Sequence, residues 1–240
     1  MECSTSIRST DRLPPMTDSV LTSDAVHADH MDRMYRYTRH VYDATRRYYL
    51  LGRDRLLRTM VIRAGDSVLE MGCGTARNLI KLHRLHPQAR LFGLDASQSM
   101  LATAAQSLQR HERTGSVELR HCLAEQLHHQ TVFDLARPFD VIFFSYSLSM
   151  MPTWPQAIDA ALANLHPQGR IYIIDFWDQA GLPGLFAAAL KRWLALFHVH
   201  YRPELLEYLT RLVREGRCQI NVESIGGRYA YLAAISKTPA

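Results

Sequence analysis

The run "DSVLEMGCGTARNLIKLHRLHP", residues 66–87, limits the possible folds more than any other segment. An apolar stretch enters two glycines one residue apart, Gly72 and Gly74, and leaves directly into a helical pattern ended by Pro87. Glycines at such a turn let the backbone pass close to a ligand without Cβ clashes. The rhythm then repeats. Further strands are expected at "ARLFGLDAS" (89–97), "SVELRHCLAE" (116–125), the start of "FDVIFFSYSLSMM" (139–151) and "RIYIIDFWD" (170–178). Helical patterns fill the gaps at "QSMLATAAQSLQRHER" and at "PQAIDAALANLHPQG", which carries its own stop signal. Strands alternating with helices give an α/β fold with a mostly parallel sheet and helices on both faces.

The tail of this pattern differs. "PELLEYLTRLVREG" (203–216) starts with Pro in a first-turn position, ends at a capping Gly, and gathers Leu205, Leu206, Leu209, Leu212 and Val213 on one apolar face. "CQINVESIGGRYAYLAAISK" reads as two strands around Gly226-Gly227, which form either a turn or a bulge. There is no internal repeat and no sign of a second sheet domain. Residues 1–28 are polar, contain a Pro-Pro pair and read as a disordered tail, 29–60 as an N-terminal helical unit, and 61–240 as the α/β domain.

In the helical unit, Tyr35, Tyr42 and Tyr49 fall seven residues apart, as do Met34, Val41 and Tyr48, which places them on one stripe of a helix over 31–51 that Gly52 ends. "RDRLLRTMVI" reads as a second, short helix. The stretch "YDATRRYYLLGRD" (42–54) combines tyrosines and arginines in a way that suits neither a core helix nor a plain surface helix.

Composition excludes several classes. Four cysteines without metal-type spacing argue against a zinc site and a disulfide framework, and for a reducing compartment. His198 and His200 alternate without a third ligand, and His128-His129 reads as a solvated loop, so no metal is expected. The N-terminus has no apolar core of signal-peptide length, and no run approaches the roughly 18 apolar residues of a membrane span. A cytoplasmic location follows. The net charge of +5 fits an anionic substrate, a membrane surface or nucleic acid, or reflects an arginine-rich composition alone. Nucleic acid is disfavoured because the arginines cluster with tyrosines and no RNA-binding module is present.

The chemistry concentrates at "VLEMGCGTARN". Asp95 ends the second strand, 23 residues beyond Gly72, where an acidic side chain can hydrogen-bond ribose hydroxyls. Arg77 stands where a dinucleotide fingerprint would carry its third glycine, which favours an adenosyl ligand without phosphates. With "LEMGCGTA", "GLDASQSML" and "FDVIFFSYSLSM", the chain resembles the class I S-adenosylmethionine-dependent methyltransferases over residues 60–236. The resemblance implies a Rossmann-like fold with a seven-stranded sheet, and S-adenosylmethionine as cofactor with S-adenosylhomocysteine as product. By it, Glu70, Gly72, Cys73 and Gly74 would line the methionine part, Asp95 would hold the ribose, and Ala96 and Met100 would cover the adenine. The acidic or amide residue often found after strand three is replaced by Leu123, so the backbone of Leu123 and Ala124 is expected to read the adenine.

The N-terminal unit is then expected to be a lid, with Arg53 meeting the cofactor carboxylate and tyrosines walling the transfer channel; plain packing on the sheet is the alternative. "YDATRRYYLLGRDRLL" and "SYSLSMMPTWPQAID" resemble the N-methyltransferases of betaine-lipid synthesis, which methylate the amine of diacylglyceryl homoserine three times. The resemblance implies a lipid amine as substrate. Tyr42, Tyr49, Tyr146 and Tyr201 are candidates for the cage around the methylated ammonium. Ser145 and Ser147 would orient the amine, or cap the following helix, and Arg46 would meet the head-group carboxylate. Residues 179–202 mix apolar bulk with Lys191, Arg192 and Arg202, as a segment at the inner membrane face or a cover helix on the sheet would. Rival expectations are methylation of a soluble amine or hydroxyl, transfer of the cofactor's aminocarboxypropyl group, and a binding module without turnover.

Overall fold

The structure, a computed structural model, describes residues 50–111, 115–184, 192 and 202–238. The helix expected over 31–51, with Tyr42, Arg46 and Tyr49, lies outside the described residues except for its last two positions. Tyr201, His198, His200 and most of the 179–202 segment lie outside them too.

Seven strands form one sheet: β1 (Ser67–Met71), β2 (Arg90–Asp95), β3 (Val117–His121), β4 (Phe139–Ser145), β5 (Leu165–Phe176), β6 (Cys218–Ile225) and β7 (Ala230–Lys237), in the order β3-β2-β1-β4-β5-β7-β6. The first five pair in parallel, and β7 runs antiparallel between β5 and β6. This is the mostly parallel, Rossmann-like arrangement expected from the sequence. The helices are α1 (Arg53–Thr59), α2 (Arg77–Leu85), α3 (Gln98–Arg110), α4 (His129–Phe133), α5 (Trp154–Ala163) and α6 (Pro203–Arg214).

The central strands are buried on both faces, so their side chains alternate between two cores. Val68, Leu91, Val141, Phe143, Tyr172 and Ile174 pack with Leu56, Leu79 and Leu82 of α1 and α2. Leu69, Phe92, Ile142, Phe144, Ile171 and Ile173 pack with Ile158, Leu205 and Leu209 of α5 and α6.

Three expectations change at the strand ends. β5 begins at Leu165, five residues before the expected start, because Leu165 pairs with Phe139 across an irregularity in register. The "HPQG" stretch is taken up by that bulge, which tolerates a proline. A Cβ on Gly169 would lie 2.7 Å from the Asp140 carbonyl oxygen, so the bulge closes only over glycine. β3 stops at His121, and Ala124–Gln126 forms a 3₁₀ turn instead of continued strand. His129 does not sit in a solvated loop: it opens α4, its backbone N–H donates to Asn164 Oδ1 at 2.8 Å, and its ring Nδ1 lies 2.9 Å from the same atom. Gly226 and Gly227 form the β6–β7 turn, with φ of 56° and 64°.

Gly52, expected to end the N-terminal helix, has φ 82° and precedes α1. Among the described residues no helix is long and apolar enough to cross a membrane, and no group of His, Cys, Asp or Glu could hold a metal ion.

Gly93 of β2 is where the sheet meets α2 most closely. A Cβ there would lie 2.8 Å from Leu79 Cδ1, and 2.9 Å from both Cys73 Sγ and Leu119 Cδ2. Gly93→Ala is expected to destabilise the protein by about 1–3 kcal/mol, the usual effect of overpacking. A urea unfolding curve with an unchanged midpoint would show that the layer yields.

Candidate functional site

A cleft opens at the carboxyl edge of β1, β2 and β4. Its floor is the glycine turn. After Met71 the chain reverses: the N–H groups of Gly72 and Cys73 both donate to Leu94 O, at 2.9 and 3.0 Å, and Gly72 and Gly74 adopt φ of 77° and 53°. Ala76 follows with φ 60° and opens α2. A Cβ on Gly72 would lie 2.7 Å from Ser147 Cβ and 3.1 Å from Met151 Cε, so a side chain would close the gap between the two loops.

The β2 end supplies a fixed carboxylate. Asp95 accepts Gly74 N–H on Oδ2 at 2.8 Å and Ser97 N–H on Oδ1 at 2.9 Å. Ser97 caps α3, its Oγ accepting from Met100 N. Asp95 lines the cleft.

After β4, Tyr146 turns with φ 56° and its N–H donates to Ile174 O at 2.8 Å. Its ring packs 4.7 Å from Phe176, and its hydroxyl donates to Leu51 O at 2.5 Å. Burial pushes the Tyr146 hydroxyl well above the usual phenol range, with Tyr229 and Asp175 adding to the rise and Arg53 opposing it. Ser147 Oγ donates to Met71 O at 2.8 Å, which ties the β4 loop to the β1 end; it does not cap the following turn.

The cleft encloses about 650 Å³ of non-atom space, open solvent included, within the range of small-molecule sites. Of the sequence candidates it is lined by Gly72, Gly74, Asp95, Ala96, Met100, Leu123, Ala124, Tyr146 and Ser147. Four others do not line it. Glu70 is buried behind the turn, accepting from Asn78 Nδ2 at 2.7 Å. The Cys73 sulfur points toward β2, and burial pushes the thiol well above its usual range. Ser145 Oγ is buried without a hydrogen-bond partner among the described residues. Arg53, half-buried in the first turn of α1, is close enough to Tyr146 for its charge to act there.

The cleft also has walls that the motifs did not reveal. Leu94 is an apolar strand residue, and Met150, Met151, Pro152 and Thr153 follow "SYSLS" as the next turn. Methionines in such a run read as core, so only their position at the sheet edge marks them. Glu125 lines the cleft beside Leu123 and Ala124.

A glycine floor that excludes Cβ atoms, an edge carboxylate and apolar walls fit an adenosyl ligand without phosphates. Residues 62–216 match a family described as a methyltransferase domain. The chain belongs to this methyltransferase family. It is 31% identical over 119 residues to trans-aconitate 2-methyltransferase of Yersinia pseudotuberculosis serotype O:1b (strain IP 31758), covering 49% of this chain and 41% of that protein. It is 25% identical over 154 residues to demethylmenaquinone methyltransferase of Listeria welshimeri serovar 6b, covering 62% and 58%. The chain thus spans less than two thirds of either relative.

Among solved structures, an O-methyltransferase family protein from Burkholderia thailandensis superposes with a TM-score of 0.68 at 19% identity, over 87% of this chain and 62% of that one. The plantazolicin methyltransferase BpumL, in complex with a triazolic desmethylPZN analog and SAH, gives 0.65 at 14%, over 92% and 100%. The [4+2]-cyclase SpnF gives 0.62 at 18%, over 78% and 81%, so the shared fold does not by itself fix the reaction.

Gly72→Ala tests the floor. The left-handed backbone alone costs an alanine about 1–2 kcal/mol. With the contacts to Ser147 and Met151 added, S-adenosylmethionine affinity is expected to fall at least tenfold, about 1.4 kcal/mol, by calorimetry. Wild-type affinity would mean that the ligand lies elsewhere.

Proposed function

We propose that this methyltransferase acts on the amine of a lipid head group, converting diacylglyceryl homoserine to its trimethylated betaine lipid. The observation that carries the proposal is the hydrogen bond from Tyr146, a cleft residue, to Leu51 O. It ties the end of the tyrosine-arginine stretch to the cleft, as a lid over 29–60 requires. The long words shared with betaine-lipid N-methyltransferases lie in that stretch and in the loop after β4 that builds the wall.

The groups present also suit an amine. The titratable side chains lining the cleft are Asp95, Glu125 and Tyr146. Asp95 accepts two backbone N–H groups, and the Tyr146 hydroxyl donates to Leu51. A neutral amine attacks without a general base, whereas a hydroxyl acceptor needs one. S-adenosylmethionine supplies an electrophilic methyl on its sulfonium. The chain's own groups position and desolvate. Asp95 holds the ribose, and Ala96, Met100, Leu123 and Ala124 enclose the adenine. Gly72 and Gly74 give room for the methionine part, with Glu70 and Cys73 supporting the turn from behind. Arg53 takes the cofactor carboxylate. Tyr42, Tyr49, Tyr146 and Tyr201 face the ammonium, and Arg46, Ser145 and Ser147 orient the acceptor. The segment 179–202 meets the lipid surface, which gives a peripheral site at the inner membrane face.

A second reading is methylation of a soluble small molecule, favoured by the trans-aconitate name of one relative. Lipid mass spectrometry of cells with and without the gene separates the two. The betaine lipid is expected only with the gene; an identical lipid profile, with methyl transfer unaffected by vesicles, would favour the soluble acceptor. Asp95→Ala is expected to weaken S-adenosylmethionine binding by roughly tenfold to a hundredfold, the loss of hydrogen bonds to a charged acceptor. Unimpaired calorimetric binding would refute the ribose assignment.

A further inference from the structure

The wall of the cleft after β4 is a short 3₁₀ turn, Leu148–Met150, running into Met151, Pro152 and Thr153. A turn this short has little stability of its own, so its place depends on outside ties. Three exist. Ser147 Oγ donates to Met71 O of β1 at 2.8 Å. The Ser149 N–H donates to Asp175 Oδ2 of β5 at 3.0 Å. The Ser149 carbonyl accepts from Arg202 Nε, just ahead of α6, at 3.3 Å. One residue is thus held by both of its backbone polar groups, by a carboxylate and a guanidinium from different elements.

Asp175 is 2% exposed and lies at the carboxyl end of β5. Its other oxygen accepts Phe176 N–H at 2.8 Å, so each oxygen holds a backbone N–H, and among the described residues neither makes a direct ion pair. A buried carboxylate so placed opposes folding, and it gives nothing to the core that an apolar residue would not. It does satisfy the Ser149 N–H, which would otherwise be buried without an acceptor.

We propose that Asp175 and Arg202 are positioning residues for the cofactor cleft, gripping the Ser149 backbone and so setting the wall formed by Met150, Met151, Pro152 and Thr153. Neither residue lines the cleft, and both act through the turn. Arg202 also joins this grip to the chain segment that precedes α6, the part assigned to the lipid acceptor. The inference rests on the cleft being the cofactor site.

Burial raises the Asp175 pKa to about 6, with the backbone of Phe176, the backbone and side chain of Ser149 and the Arg202 charge holding it from rising further. Protonation removes the carboxylate charge, which weakens the charge-assisted hydrogen bonds it accepts and its attraction for Arg202. The wall therefore loosens as pH falls through about 6. The sign for stability is opposite: the folded state binds this proton more readily than the unfolded chain does, so this group's contribution to stability rises as pH falls from about 6 toward 3.8. The groups around Asp175 are Arg202 ahead of α6, Tyr146 after β4 and Tyr231, its pairing partner on β7.

The test is calorimetric binding of S-adenosylmethionine to the full chain from pH 5 to 8, for wild type, Asp175→Asn and Arg202→Ala, with Asp95→Ala as reference. Asp175→Asn is expected to weaken binding roughly tenfold at pH 8, the effect of losing one charge-assisted hydrogen bond. Its melting temperature should hold, because removing the buried charge offsets the lost bond. Wild-type affinity should drop below about pH 6, and the Asp175→Asn profile should be flat there. Arg202→Ala, half-exposed, should weaken binding about threefold at pH 8 and carries the test if Asp175→Asn does not fold. Affinities within twofold of wild type for both variants, or an unchanged pH profile in Asp175→Asn, would overturn the proposal. Full binding by Asp95→Ala would instead remove the cleft assignment on which it rests.

Discussion

Everything at the site depends on one close approach: the backbone at Gly72 passes under Ser147 and Met151 with no room for a Cβ. Parallel strands leave their carboxyl ends on one edge, so the loops after β1, β2 and β4 must share a small space. The glycine turn lies low enough for the β4 loop to cross above it. The Ser147–Met71 hydrogen bond then fixes the two loops together. Asp95 closes the third side by holding Gly74 and Ser97 from the β2 end. The cleft is thus a by-product of how three loops avoid one another.

Much of this was legible in the sequence because it is encoded by residue type. Apolar runs of strand length, glycines at a strand end and an acidic residue one strand later leave plain marks, and Gly72, Gly74 and Asp95 all stand at the cleft. Less legible were features that depend on register. Pro167 and Gly169 look like a stop signal, yet β5 starts at Leu165 because a bulge takes up the proline. His129 reads as polar surface until Asn164 is placed opposite it. Met150 and Met151 read as core, since a thioether in an apolar run carries no sign of facing a ligand. Asp175 is hidden in "IIDFW", where nothing local shows that its partner is the backbone of Ser149, 26 residues away. Glu70 and Cys73 show the reverse case: both belong to the right motif, and both point away from the cleft.

The supports of the cleft differ in kind. The side facing β2 and α3 is held by strand pairing, a helix cap and a carboxylate with local partners. The side after β4 is a single short turn tied by side chains from distant elements. Acceptor choice is expected to vary on the second side, because it can be reshaped without disturbing the sheet.

The sheet order places β7 between β5 and β6, so the last strand in the chain is inserted between two that precede it. As the polypeptide leaves the ribosome, β5 has an open edge until residues 230–237 emerge, and β6 has no neighbour to pair with. An apolar ladder waiting unpaired is a template for strands of other chains. The central ladder of this sheet is therefore complete only once its last strand has been made.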